Sequence, residues 1–202
     1  MKKLILIALS YLFFGSMALA TSGDLIEHAT KQIQQHTEPK FRNTFMVFSK
    51  EEVECLALNV YHEARNESLS GKIAVILVTM NRVADERFPG SICEVVRQGK
   101  HYFHKTLKKR FPVKDMCQFS WYCDGLTDDP KNKRAWAYSN ALIEYFLKRS
   151  MSFIDFTEGA THYHAGYIAL PRWAKNKDFI KTVTIDTHLF YRWKAGKLLA
   201  SR

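Results

Sequence analysis

The sequence predicts an α+β domain, on three observations. Two capping-box patterns open segments with helical spacing, a long stretch from Lys131 to Arg149 repeats apolar residues at the same spacing, and two late segments alternate as strands do. Helices come first and a small sheet follows, which is the α+β order.

In chain order, Ser49-Lys50-Glu51-Glu52 sets a serine at the cap and a glutamate three residues on. It opens a helix to about Arg65, with Val53, Leu56, Ala57, Val60 and Ala64 in one apolar stripe. Gly71 to Val83 follows. Its run Ile73–Val78 is apolar on every side and therefore buried, and its length and polar tail Thr79-Met80-Asn81-Arg82 favour helix over strand. Ser91-Ile92-Cys93-Glu94 opens a short helix. Residues 99–133 read as irregular, basic and aromatic. In the helix from Lys131 to Arg149, Ala135, Leu142, Ile143, Phe146 and Leu147 point inward. Thr161–His164 and Phe179–Ile185 read as strands, joined by a loop carrying Gly166, Pro171 and Trp173.

The chain of 202 residues and 23.5 kDa suits a single domain. Hydrophobic residues at 47% and charged residues at 25% exclude a disordered or collagen-like chain. Thirty Lys and Arg against twenty Asp and Glu give +10, which points to an anionic partner: nucleic acid, acidic glycan or membrane surface. The N-terminus narrows that choice. Lys2 and Lys3 precede an apolar run from Leu4 to about Phe14, and Ala18-Leu19-Ala20 forms a small-residue cleavage site. The run is short for a membrane anchor, the rival reading, and Gly15 and Ser16 interrupt it. Residues 1–20 are thus expected to be a cleaved signal peptide, leaving a formal charge of +8 in a periplasmic or secreted protein with no stable membrane insertion. Export argues against nucleic acid as partner and leaves the cell wall and lipid headgroups. Residues 21–48 read as a polar linker, 49–195 as the catalytic domain and 196–202 as a tail. Cys55, Cys93, Cys117 and Cys123 imply two disulfides, with three connectivities open. A zinc site, the alternative, normally shows C-x2-C spacing, which is absent.

One carboxylate stands out. Glu63 lies seven residues after Leu56, so at ~100° per residue it points within ~20° of that buried position. Burial raises a carboxyl pKa, and an acid protonated near neutral pH is what general-acid catalysis requires. The alternative is an ion pair with Arg65 or Arg82. Glu67 is expected past the helix end and exposed. Asp124, Asp128 and Asp129 offer a second carboxylate, or serve as turn residues around Gly125 and Pro130. His162 and His164 share one face of a strand and, with His62, Glu63 or His188, offer a zinc set. The helix lacks H-E-x-x-H, and no metal or cofactor is expected. Gln118-Phe119-Ser120-Trp121-Tyr122 combines an amide, a hydroxyl and aromatic faces, the groups that hold sugar rings, although some of these aromatics must belong to the core. The basic run from His101 to Lys114 reads as a solvated face, with long-range attraction of an anionic polymer as the alternative.

Several of these stretches, taken together, resemble the SleB-type cell-wall hydrolases, which include spore cortex-lytic enzymes. Tyr61-His62-Glu63-Ala64-Arg65-Asn66-Glu67 is similar to the family's E-A-R-G-E region. Gly71-Lys72-Ile73-Ala74-Val75, Asn81-Arg82-Val83, Phe88-Pro89-Gly90-Ser91-Ile92-Cys93, Cys117-Gln118-Phe119-Ser120-Trp121 and Cys123-Asp124-Gly125 follow in order. Ala160-Thr161-His162-Tyr163-His164-Ala165, Pro171-Arg172-Trp173 and His188-Leu189-Phe190-Tyr191-Arg192 complete it, over roughly residues 50–193. The resemblance implies a lysozyme-like domain that cleaves the β-1,4 bond between N-acetylmuramic acid and N-acetylglucosamine in peptidoglycan. It implies a lytic transglycosylase with Glu63 as acid and a 1,6-anhydro product, acting as a monomer. Gln118, Phe119, Ser120, Trp121, Tyr163 and Trp173 would bind substrate, with His162 or His164 polarising it. Some members are described as amidases, so a zinc amidase and a non-catalytic wall-binding homologue stand as alternatives. Asn66 stands where Gly is usual; Asn tolerates a left-handed backbone, so the turn is expected to survive.

Overall fold

Ser49 starts the first helix as its capping box predicts: its Oγ accepts from the Glu52 N–H while the Glu52 carboxylate accepts from the Ser49 N–H. In the computed structural model, which describes residues 48–149 and 153–194, this helix (α1) is Lys50–Ala64. The expected signal peptide, the tail and all of the expected linker but Phe48 lie outside the described residues.

The second helix, α2 (Leu69–Val83), starts before Gly71 because Ser68 caps it, accepting from the Gly71 N–H. Ile73 to Val78 are all buried, as their unbroken apolar run predicts. They face two clusters. Ile73, Val75, Ile76 and Leu77 join α1, α3 (Ile92–Val96) and α4 (Lys133–Lys148) in the main core with Leu56, Val60, Leu142 and Ile143. Ala74 and Val78, one turn apart, meet Ala160 and Phe190 and hold the sheet. Ser91 and Asn132 cap α3 and α4 with their side chains.

Two strand regions differ from the sequence reading. Residues 99–133 are irregular only in part: Gly99–His104 (β1) and Lys109–Cys117 (β2) form an antiparallel hairpin and Ser120–Cys123 is a 3-10 turn, whereas 124–132 carry no helix or strand. The hairpin shows no alternation because neither of its faces is covered, so its residues carry no period-two burial signal. The second sheet has three strands in the order β3 (His162–Ala165), β5 (His188–Trp193), β4 (Phe179–Ile185), all antiparallel. The sequence reading placed no strand at β5, yet it is central. Covered on both faces, it is buried at His188, Phe190 and Tyr191 without regular alternation.

The β4–β5 turn fastens this sheet to the α1–α2 connection. Asp186 accepts from the Ser68 N–H (2.9 Å) and from its hydroxyl (2.6 Å), and Thr187 Oγ1 donates to Glu67 (2.7 Å). A Cβ on Gly71 would stand 2.4 Å from an Asp186 oxygen, so only glycine allows this approach. Glu67 does lie past the helix end but is not exposed: its side chain is 11% accessible, covered by the turn it holds. Asn66 is not left-handed either; the chain leaves α1 without a positive φ there.

Cysteines pair as Cys55–Cys93, joining α1 to α3, and Cys117–Cys123, tying the end of β2 to the 3-10 turn. Their sequence separations of 38 and 6 predict unequal effects on the unfolded chain, about 4 and about 2 kcal/mol. Replacing both Cys55 and Cys93 by alanine should therefore cost about 4 kcal/mol in denaturant unfolding. The Cys117/Cys123 double alanine variant should cost about half that and lose activity disproportionately, since that bridge shapes residues 118–122.

Candidate active site

The last turn of α1 delivers Glu63 to a cleft of about 490 Å³ between the helices, the 3-10 turn and the three-stranded sheet. Tyr163, on the inward face of β3, donates its hydroxyl to Glu63 Oε2 at 2.8 Å. Burial raises the Glu63 pKa above the ordinary carboxylate value; the Tyr163 hydrogen bond and the Arg82 charge pull the other way and do not reverse it. The alternative of an ion pair is not what forms. Among the described residues no cation lies within 4.0 Å of Glu63, and Arg65 turns away to Tyr61, stacking on its ring and donating to its hydroxyl.

Arg82 enters the cleft wall from the C-terminal turn of α2. It is buried between the Phe88 and Phe119 rings, with Cζ 5.4 and 4.9 Å from their centroids, and its Nε donates to the Thr161 carbonyl at 2.7 Å. Its Nη1 has no hydrogen-bond partner among the described residues. The neighbouring Asn81 donates to Asp155 and to the Ala160 carbonyl, so the Asn81-Arg82 pair sets the entry of β3 and with it Tyr163. Sequence reasoning took Arg82 only as a possible partner. The i+7 test that singles out Glu63 finds it too: Arg82 follows fully buried Val75 by seven.

Gln118, Phe119, Ser120 and Trp121 all line the cleft. Gln118 and Ser120 are exposed at its rim, whereas Phe119 and Trp121 are buried in its floor. Trp121 is held there by its Nε1–H donating to Asn59 Oδ1 (3.0 Å), and Asn59 donates in turn to Thr79. Its ring stacks on His62 at 4.5 Å. Asp124 is the second carboxylate among the lining residues, one oxygen accepting from the Leu126 N–H; Asp128 and Asp129 do not line the cleft. The loop after β3 adds Tyr167 and Ile168, 82% and 48% exposed, which sequence reasoning passed over because a lone exposed aromatic in a loop carries no period.

Of the late residues, Tyr163, His164, Trp173 and His188 line the cleft and His162 does not. His162 sits among Phe88, Trp173, Phe179 and Trp193; burial first, then the Arg82 and Arg87 charges, push its pKa down to about 4, so it is neutral. The zinc set does not converge. His164 is bonded to the Ala165 carbonyl and the Tyr191 hydroxyl, and His188 packs on Tyr163. Among the described residues, three ligand atoms come within 4.8 Å of one another only at Glu51, Cys55 and Cys93, where both sulfurs are in a disulfide. A second, larger cavity of about 690 Å³, lined by Arg65, Lys72, Arg134 and the start of α4, has no carboxylate and no acid to work with.

A family model described as cell wall hydrolase matches residues 66–191, more than half of the chain. The chain belongs to the cell wall hydrolase family. It is accordingly an enzyme of cell-wall breakdown, and the polymer of that wall is peptidoglycan. The matched segment begins three residues after Glu63, so the assignment of Glu63 rests on the geometry of this cell wall hydrolase. Its fold is similar to the catalytic domain of the Bacillus cereus SleB protein, at TM-score 0.51 and 21% identity over 76% of this chain and all of that one. The catalytic domain of the germination-specific lytic transglycosylase SleB from Bacillus anthracis aligns at 0.49 and 23%, over 72% of this chain and 97% of that one. No curated protein matches the chain.

Two outcomes follow from the Glu63 environment. A carboxyl whose folded pKa is raised contributes stability that is full below the unfolded value of about 4.5 and is lost as pH rises through the folded one. Glu63→Gln should therefore melt higher than wild type at pH 7, the difference vanishing toward pH 4. Tyr163→Phe removes the strongest influence opposing burial. The basic limb of its pH–rate profile should move to higher pH; an unchanged limb would separate Tyr163 from the titrating acid.

Proposed function

We propose that this cell wall hydrolase is a peptidoglycan lytic transglycosylase working with a single acid/base, Glu63. One observation carries the reading: Glu63 is a desolvated carboxyl with a raised pKa, aimed into the cleft and fixed by Tyr163. Protonated, it gives its proton to the glycosidic oxygen as the β-1,4 bond from N-acetylmuramic acid breaks. Ionised, it then takes the proton of the sugar's own C6 hydroxyl as that oxygen closes on C1. The substrate supplies the nucleophile, so a second catalytic carboxylate is not required, and the product is a 1,6-anhydro sugar. Arg82, near enough to lower the Glu63 pKa, eases the ionised half of the cycle. Gln118 and Ser120 at the rim, with Tyr167 across from them, would hold the glycan strand; Trp173 and His164 would close the far wall.

The matching compartment is outside the cytoplasm. The N-terminal segment supports this as a signal peptide cleaved after Ala20, and so do two disulfides, which persist in oxidising compartments. A second reading has a specific observation in its favour: Asp124 also lines the cleft, as the base of a two-carboxylate glycosidase that uses water would.

Digestion of purified peptidoglycan, with soluble fragments read by mass spectrometry, separates the two. Anhydro-muropeptides from wild type, absent with Glu63→Gln, are expected. Reducing-end muropeptides lost equally in Asp124→Asn would establish water as the attacker, and free stem peptides would establish an amidase. Tyr167→Ala should raise KM about tenfold with kcat nearly kept, as loss of one stacking platform of about 1.4 kcal/mol requires.

A further inference from the structure

We infer that the β1–β2 hairpin docks this enzyme onto an anionic lipid surface. The hairpin spans residues 99–117 and carries Lys100, Lys105, Lys108, Lys109, Arg110 and Lys114 against Asp115 alone, half of the +10 excess of the whole chain. None of the ion pairs among the described residues involves it. The same nineteen residues expose Tyr102, Phe103, Leu107 and Met116, each half or more accessible. These are half of the exposed large apolar side chains among the described residues.

Each feature alone is a solvated face. Together they make a pattern that water does not favour: Leu107 at the tip of an arm, Phe103 and Tyr102 on its two faces next to the tip and Met116 at its base, among unpaired cations. The tip is fixed, not frayed. The Leu107 N–H donates to His104 Nδ1 at 3.2 Å, and Lys108 takes a left-handed backbone at φ 49° to complete the turn, which leaves Leu107 outward. Phe103 and Arg110 are register partners, so an aromatic and a cation share one face at one depth.

Charge complementarity and side-chain chemistry choose the occupant. Lysines near an anionic leaflet are drawn to it, and aromatic rings favour the interfacial level. Leu107 and Met116 decide against an acidic glycan. Sugar faces stack on aromatic planes and gain little from aliphatic chains, whereas hydrocarbon rewards them. The arm is also joined to the cleft: Cys117–Cys123 ties the end of β2 to the 3-10 turn that lines it, and the Gln118 N–H donates to the Gln98 carbonyl at 2.8 Å. Docking it would orient the cleft relative to the bilayer and confine cleavage to wall within reach of the membrane.

The test is co-sedimentation of the protein, purified from the cell envelope, with vesicles of phosphatidylcholine alone or with one third phosphatidylglycerol. Partition should be at least tenfold stronger on the anionic vesicles and fall at least tenfold between 50 and 300 mM salt. Phe103→Asp/Leu107→Asp should lose at least tenfold of that binding and still cleave soluble peptidoglycan fragments at the wild-type rate. Lys105→Gln/Lys108→Gln/Lys109→Gln should lose the salt-sensitive part. Equal binding of wild type and the Asp variant to anionic vesicles would overturn the proposal. So would absence of vesicle binding, or salt-sensitive binding to isolated wall in place of vesicles, which would give the arm to an acidic wall polymer. The cleavage assay reads the active site separately, so failure here leaves the transglycosylase reading standing, and the reverse.

Discussion

A hydroxyl from a strand meets a carboxylate at the end of a helix: Tyr163 Oη stands 2.8 Å from Glu63 Oε2, one hundred residues apart in sequence. The contact needs the sheet seated at one height against the helices. Two separate devices supply that height. Ala74 and Val78 bury one face of α2 against Phe190, which fixes the distance, and Asp186 and Thr187 grip Ser68 and Glu67, which fixes the register. Glu67, past the end of α1 and only four residues after Glu63, is thereby occupied in holding the turn.

Electrostatics at the cleft follow from the same seating. Glu63 and Arg82 are both carried inward by apolar helices and both lose water, so burial lowers the arginine pKa and raises the carboxyl pKa. They influence each other without touching, which leaves the carboxyl free to exchange its proton. A direct ion pair would instead hold Glu63 ionised. Two aromatic rings and a backbone carbonyl keep Arg82 at that separation, and the neutral His162 packs behind β3 without adding a charge.

The floor of the cleft joins the helical core to the hairpin. Trp121 and Phe119 belong to the main core and line the cleft at once, and Asn59 and Thr79 give the indole N–H a buried partner. The Cys117–Cys123 bridge keeps this short segment from relaxing toward the hairpin, which has neither face covered. Cleft floor and core are therefore one cluster: buried Phe119 and Trp121 serve both, while Gln118 and Ser120 stand exposed at the rim.

The sequence by itself determined the helices, the Ser49 and Ser91 caps and the inward aim of the Glu63 carboxylate. Ser49, Ser91 and the unbroken run Ile73–Val78 are local signals, and a seven-residue interval from a buried leucine puts Glu63 inward whatever surrounds the helix. The same interval from buried Val75 points Arg82 inward, a signal that the sequence reading left unused. Strands were legible only where one face is covered. The hairpin, with no face covered, and β5, with both, lack the alternation that marks a strand, so only the tertiary structure reveals them. The partners of the Glu63 carboxylate were likewise beyond reach. Tyr163 points to Glu63, whereas His162, on the other face of β3, is taken up by packing among Phe88, Trp173, Phe179 and Trp193. Which face meets the helices is set by how the β4–β5 turn grips α1 and α2, an interaction over more than a hundred residues that no local pattern encodes.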